Sequence, residues 1–100
     1  MNVEVINLDF SYPISYDWST DEIVDVIKFY EMIELTYEKG IDRDAILSQY
    51  RRFKDIVPSK AEERKLTDEY EELSGFSTFK VIKRAKELSS GDKVKIEKAR

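Results

Sequence analysis

The stretch FSYPISYDWSTDE, residues 10–22, contains four of the twelve aromatic residues, the single tryptophan and one of the two prolines. Pro13 fixes its own backbone and disfavours helical geometry at Tyr12, so the first part of the stretch is expected to be non-helical. The last four residues, from Ser19 to Glu22, form a capping box and predict the start of a helix. Aromatic residues this dense before a helix either cover a core or bind a ligand.

Working outward from this stretch, hydrophobic spacing and end signals predict four helices. The first is expected to run from the Ser19 cap to Gly40, which suits a left-handed terminal residue. Its apolar residues lie on more than one side, which predicts that this helix is central. Its main apolar stripe consists of Ile23, Val26, Ile27, Tyr30, Ile33 and Tyr37.

The other three helices follow after short connections. The second helix is predicted to begin at Asp42 and to end before Pro58. The third is predicted to begin at Ser59, in a second capping box, and to end at Gly75. The fourth is predicted to begin at Ser77 and to end before Gly91. The third helix has a thin apolar stripe, and the fourth is expected to pack through Phe79, Val81, Ile82, Ala85 and Leu88. The prediction is an all-α fold: a small irregular or orthogonal bundle of about four helices behind an extended aromatic N-terminal segment.

The length of 100 residues fits one domain. We expect a short arm over residues 1–9, a single helical domain over 10–88, and a charged, disordered tail over 89–100.

The composition excludes several kinds of chemistry. The chain has no cysteine and no histidine, so it lacks thiol chemistry, disulfides, the commonest general base and the commonest nitrogen ligand for metals. Glu31, Glu34 and Glu38 share one helix face, but a di-iron site would also need histidine, so a solvated acidic face is expected. We expect no metal and no cofactor. The absence of a signal-like start or a long apolar run predicts a cytoplasmic protein without membrane contact.

The net charge of −4 is unevenly distributed. Residues 1–49 contain eleven acidic and three basic side chains, whereas residues 50–100 contain ten acidic and fourteen basic ones. The two halves are therefore expected to attract each other, within one fold or across a homodimer, or to offer a docking site for a charged partner.

Several short motifs together resemble uncharacterised protein family 0223, a family of short bacterial proteins found mainly in low-GC Gram-positive species. The motifs are YPI at 12–14, YDWSTDE at 16–22, YEKGID at 37–42, YRRFK at 50–54, VPSKAEE at 57–63 and SGFS at 74–77. The resemblance runs from about residue 10 to about residue 88. It implies an all-helical domain and no assigned enzyme activity.

The densest basic cluster in the predicted fold runs from Arg51 across Pro58 to Lys60, Arg64 and Lys65, and its candidate binding residues are Arg51, Arg52, Lys54 and Lys60. Three interpretations stay open for it. The cluster is a solvated face paired with the acidic first helix, a grip for an acidic peptide or protein, or a site for phosphate or nucleic acid. The overall acidity and the lack of a glycine-rich phosphate loop argue against nucleic acid.

The aromatic segment supplies three more candidate binding residues: Tyr12, Tyr16 and Trp18. Our preferred interpretation is a lid that completes the core, with a ligand platform as the alternative. A largely buried Trp18 predicts a loss of about 3–5 kcal/mol in Trp18→Ala.

The leading functional hypothesis is a non-enzymatic cytoplasmic helical domain that acts through contacts with an unidentified protein or with itself, as a homodimer. The first alternative is binding of nucleic acid or a phosphorylated ligand at the junction of the second and third helices. The second alternative is an enzyme that uses a pair of carboxylates, although no catalytic constellation is visible.

Overall fold

The computed structural model describes residues 12–97, so the predicted arm at 1–9 lies outside the described residues. The elements in chain order are α1 Thr20–Glu38, β1 Ile41–Asp42, α2 Arg43–Ile56, α3 Lys60–Ser74, α4 Thr78–Glu87 and β2 Lys93–Val94. The predicted all-α class with four helices is confirmed. Within residues 12–97, no helix combines the length and the apolar character that crossing a membrane requires.

Each helix begins at the residue that the sequence indicates. The Ser19 hydroxyl accepts a hydrogen bond from the Glu22 amide at 3.2 Å, and the Glu22 carboxylate accepts one from the Ser19 amide at 2.9 Å. The side chains of Asp42, Ser59 and Ser77 each accept from the amide three residues ahead. These bonds satisfy amides that have no partner within the helix.

The ends of α1 and α3 are also as predicted. Gly40 follows α1 with φ +92°, and Gly75 follows α3 with φ +82°. Both values lie in the left-handed region, where a side chain would strain the backbone. The Gly40 amide donates to the Leu35 carbonyl at 2.8 Å, which closes the last turn of α1.

The core lies between α1 and α2, with α4 packed on α2. The Phe29 and Phe53 rings stack with centroids 4.8 Å apart, and the Tyr30 and Tyr70 rings stack at 4.6 Å. α3 has only two buried residues, Leu66 and Tyr70, which agrees with its thin stripe. The fully buried side chains are Val26, Phe29, Tyr30, Ile33, Ile46, Phe53, Val57, Tyr70, Val81, Ala85 and Val94, together with Thr36.

The prediction that residues 89–100 are disordered is wrong for residues 89–97, which are ordered in the structure. β1 and β2 pair antiparallel, with Ile41 opposite Val94, and the Ile96 amide donates to the Thr36 carbonyl at 2.9 Å. Val94 is fully buried, whereas its neighbours Lys93 and Lys95 are exposed. The segment alternates apolar and charged residues, as a half-buried strand does. This alternation is too short to predict a strand from the sequence, which is why the sequence alone predicts disorder there. Residues 98–100 lie outside the described part.

Candidate functional site

A groove of about 620 Å³ lies between α3 and α4, and its floor is supplied by α1 and α2. Its two walls follow helical spacing. The α3 wall consists of Lys60, Glu63, Arg64, Thr67 and Asp68, and the α4 wall consists of Thr78, Phe79, Ile82, Lys83 and Lys86. Residues three and four apart share a helix face, so each wall is one continuous face of its helix.

The inside of the groove is aromatic. Tyr50 is partly exposed on the floor, and the fully buried Phe29 lies beneath it with ring centroids 5.8 Å apart. Phe79 stands on the α4 wall and is 72% exposed. Our expectation that Phe79 packs in the core is therefore wrong. The buried side of α4 is formed by Thr78, Val81, Ile82 and Ala85, and Phe79 lies beside that stripe, facing the groove.

Two lysines and one glutamate surround the Tyr50 ring. Lys54 Nζ and Lys86 Nζ lie 5.9 Å and 5.8 Å from the ring centroid, within the range of a cation–π attraction. The Tyr50 hydroxyl donates to Glu63 Oε2 at 2.7 Å, and Lys54 Nζ lies 3.2 Å from Glu63 Oε1. Burial and the bond to Glu63 raise the pKa of the Tyr50 hydroxyl.

The lining is predominantly cationic. It contains five basic side chains against two acidic ones, Glu63 and Asp68. Lys54 is paired with Glu63, and Lys83 is paired with Glu87 at 2.9 Å. Among residues 12–97, Lys60, Arg64 and Lys86 form no ion pair. The groove therefore offers three positive charges that form no ion pair among residues 12–97, around an aromatic floor, which favours an anionic ligand with an apolar part.

The structure divides the basic cluster that the sequence brings together. Arg52 Nε lies 2.8 Å from Asp25 on α1, as the pairing interpretation expects. Arg51 is exposed and does not line the groove. Lys54 and Lys60 do line it. Two of the four basic candidates thus share one site, and the other two lie elsewhere on α2.

The three aromatic candidates have different environments. Tyr12 packs against the core, stacked on Tyr30 with centroids 5.6 Å apart. Trp18 packs against the core and lies between the fully buried and the exposed side chains. Tyr16 is 94% exposed and is not part of a lid.

The Tyr12 hydroxyl belongs to a polar cluster around Glu34 on α1. Glu34 Oε2 accepts from Tyr12 at 2.8 Å and from Tyr70 at 3.1 Å. Burial raises the pKa of the Glu34 carboxyl, the two hydroxyl bonds lower it, and the charges of Glu31 and Glu38 raise it, with a net upward shift. Glu34 is therefore half-buried and bonded, not one of three solvated carboxylates as the sequence suggests. No group of metal-binding side chains is found in the part of the chain that the structure describes.

Sequence reasoning misses much of the groove. Phe79, Lys83 and Lys86 belong to α4, far along the chain from Tyr50, and nothing local marks them as its neighbours. Arg64 belongs to the basic cluster of the sequence and follows Lys60 by one helical turn on the same face, but it is not one of the four basic candidates.

The fold and the groove define a class: a small all-α domain whose last two helices enclose a cationic groove over an aromatic floor. A family model described as an uncharacterised protein family, UPF0223, matches residues 9–94. The chain belongs to the UPF0223 family, as the sequence motifs indicate.

Three curated relatives illustrate the match. A UPF0223 protein of Lysinibacillus sphaericus (strain C3-41) is 52% identical over 89 residues, which cover 89% of this chain and 94% of that protein. A UPF0223 protein of Bacillus mycoides (strain KBAB4) is 49% identical over 89 residues, or 89% of this chain and all of that protein. UPF0223 protein YktA of Bacillus subtilis (strain 168) is 52% identical over 80 residues, covering 80% and 91% of the two chains. The names of these relatives state no activity.

Proposed function

We propose that this protein is a non-enzymatic domain that binds a short acidic segment of a protein partner in the groove between α3 and α4. The observation that carries the proposal is the exposure of Phe79, at 72%, inside a concave surface whose Lys60, Arg64 and Lys86 form no ion pair among residues 12–97. Apolar rings surrounded by a few convergent charged groups are typical of a binding site.

The size of the groove favours a short ligand. The α3 wall extends from Lys60 to Asp68, which corresponds to about 12 Å along a helix. A fully extended chain crosses that distance in about four residues. A segment of this length places one apolar side chain against Phe79 and has its carboxylates near Arg64 on one wall and Lys86 on the other.

Carboxylates suit this groove better than a nucleic-acid backbone does. Glu63 and Asp68 interrupt the positive lining, and the whole chain has an isoelectric point of about 4.9. A nucleic-acid strand brings one charge per nucleotide and is favoured by a continuous basic surface. One or two carboxylates need only local cations, and Arg64 has the planar fork that binds a carboxylate through two hydrogen bonds.

The proposal includes no catalysis. The chain contains neither histidine nor cysteine, and the half-buried carboxylate of Glu34 is bonded to Tyr12 and Tyr70 away from the groove. A cytoplasmic location is also part of the proposal, in keeping with a chain that has no cysteine to oxidise.

A titration followed by NMR tests the proposal. The isotope-labelled protein is mixed separately with three ligands, each at low and moderate salt. The ligands are a peptide that carries one phenylalanine between aspartates, a basic control peptide, and single-stranded RNA. We expect the acidic peptide to shift the signals of Phe79, Thr67 and Ile82. Stronger binding of RNA, with affinity that falls steeply as salt rises, contradicts the proposal and supports the phosphate alternative.

A further inference from the structure

We infer that the groove is occupied by a second copy of this chain, whose turn at Tyr16–Asp17 inserts between α3 and α4. This inference rests on the proposed function, because it names the partner of the same groove. Tyr16 is 94% exposed and Phe79 is 72% exposed. They are the two exposed aromatic side chains among residues 12–97, and Phe79 already lies in the groove.

The turn that carries Tyr16 is held in one shape. The Trp18 amide donates to the Ser15 carbonyl at 3.2 Å, and the Asp17 amide donates to the Ser15 hydroxyl, also at 3.2 Å. On one side of the turn, the Pro13 carbonyl accepts from the Tyr30 hydroxyl at 3.0 Å, and on the other side Trp18 packs against the core. A ring presented on a fixed turn loses little conformational freedom when it binds.

The charges of the turn match those of the groove. Asp17 is exposed directly after Tyr16, and Asp21 is exposed in the first turn of the adjoining helix. The groove supplies Lys60 and Arg64 on one wall and Lys86 on the other. The Tyr16 ring would lie against Phe79 while Asp17 meets the cations. The turn is also short enough for a groove that takes about four extended residues.

Each copy has one turn and one groove, so two copies related by a two-fold axis exchange both contacts. Two-fold dimers are the commonest closed assemblies of soluble proteins. The contact is small, as in weak and transient interfaces, and we expect the dimer to form only as the protein concentration rises. An acidic partner segment would compete with the second copy for the groove.

The test measures mass in solution by sedimentation, from micromolar to near-millimolar protein, for four proteins. Wild type is expected to approach the dimer mass. Tyr16→Ser removes the inserted ring, and Arg64→Glu reverses a charge in the groove. Each change is expected to raise the dimer dissociation constant at least about tenfold. Tyr16→Phe keeps the ring and is expected to associate like wild type. Both positions are exposed, and thermal unfolding checks that every variant is folded.

A wild-type protein that stays monomeric overturns the inference, as does a dimer that both variants preserve. The proposed function fails separately, when the acidic peptide leaves the groove signals unshifted.

Discussion

The Tyr12 hydroxyl donates a hydrogen bond to Glu34 Oε2 at 2.8 Å, across 22 positions of the chain. The same oxygen accepts from Tyr70 at 3.1 Å. One carboxylate thus joins the aromatic segment, α1 and α3. This connection matters because α3 buries only Leu66 and Tyr70 and forms a wall of the groove.

Removing the Tyr12 hydroxyl is expected to destabilise the fold. Tyr12→Phe keeps the ring stacked on Tyr30 but removes one donor to a half-buried carboxylate. Hydrogen bonds of this kind contribute on the order of 1–2 kcal/mol, and the free energy of unfolding in urea should fall by about that amount. Tyr16→Phe is the matched control, because Tyr16 is exposed. Equal stability of both variants and wild type would show that the Glu34 bond contributes nothing.

The raised pKa of Glu34 predicts a pH dependence of stability. A carboxyl whose pKa is higher in the folded state favours folding when it is protonated, so its stabilising effect is complete below the unfolded value of about 4.3 and is lost as the pH rises through the folded value. Both tyrosines bond to the same oxygen, so Glu34→Gln can keep both bonds without ionising.

Glu34→Gln should therefore gain stability relative to wild type as the pH rises from 4 towards 7. Urea unfolding at several pH values measures this difference. Glu72→Gln, at an exposed position of α3 that does not contribute to the shift at Glu34, controls for the removal of a surface charge. A constant difference between Glu34→Gln and wild type across the range would contradict the burial of this carboxyl.

Val94 tests the correction to the predicted tail. It is fully buried and lies opposite Ile41 in the small sheet. Val94→Ala removes two methyl groups from the core and is expected to cost about 1.5–3 kcal/mol, whereas Lys95→Ala at an exposed position should cost little. Denaturant unfolding measures the free energy of unfolding of both variants. If the tail made no contact with the core, the two variants would have equal stability.

Replacing Phe79 is expected to affect peptide binding but not the stability of the fold. Because it is 72% exposed, Phe79→Ala is expected to change the free energy of unfolding by no more than about 0.5 kcal/mol. The same variant should lose most of its affinity for an acidic peptide. Val81→Ala, at a fully buried neighbour, is expected to do the reverse. A strongly destabilised Phe79→Ala would show that the ring supports the fold.

The sequence predicts the helices well because their end signals are local. Ser19, Asp42, Ser59 and Ser77 each bond an amide three residues away, and Gly40 and Gly75 reach positive φ through their own lack of a side chain. These interactions depend only on residues that are close together in the sequence. The predicted central helix also follows from a local pattern, since α1 is apolar on more than one side.

The groove depends on packing that no local pattern encodes. Lys86 lies over the Tyr50 ring only because α4 packs on α2, and Phe79 is exposed only because the rest of its helix fills the core. The sequence places Arg51 and Arg52 beside Lys54, but helix geometry turns them to other faces. The burial of Val94 is difficult to predict for the same reason. Its partner Ile41 precedes it in the sequence by three whole helices.

A pair of charge reversals tests the central claim, that the cationic groove is the binding site. Arg64 lines the groove and Arg51 does not, although both are exposed arginines on neighbouring helices. The peptide that carries one phenylalanine between aspartates is titrated against wild type, Arg64→Glu and Arg51→Glu, with NMR shifts of Phe79 and Thr67 as the readout. Binding to wild type and Arg51→Glu, with at least a tenfold loss in Arg64→Glu, is the predicted result. Equal loss in both variants, or shifts that avoid the groove, would contradict the account.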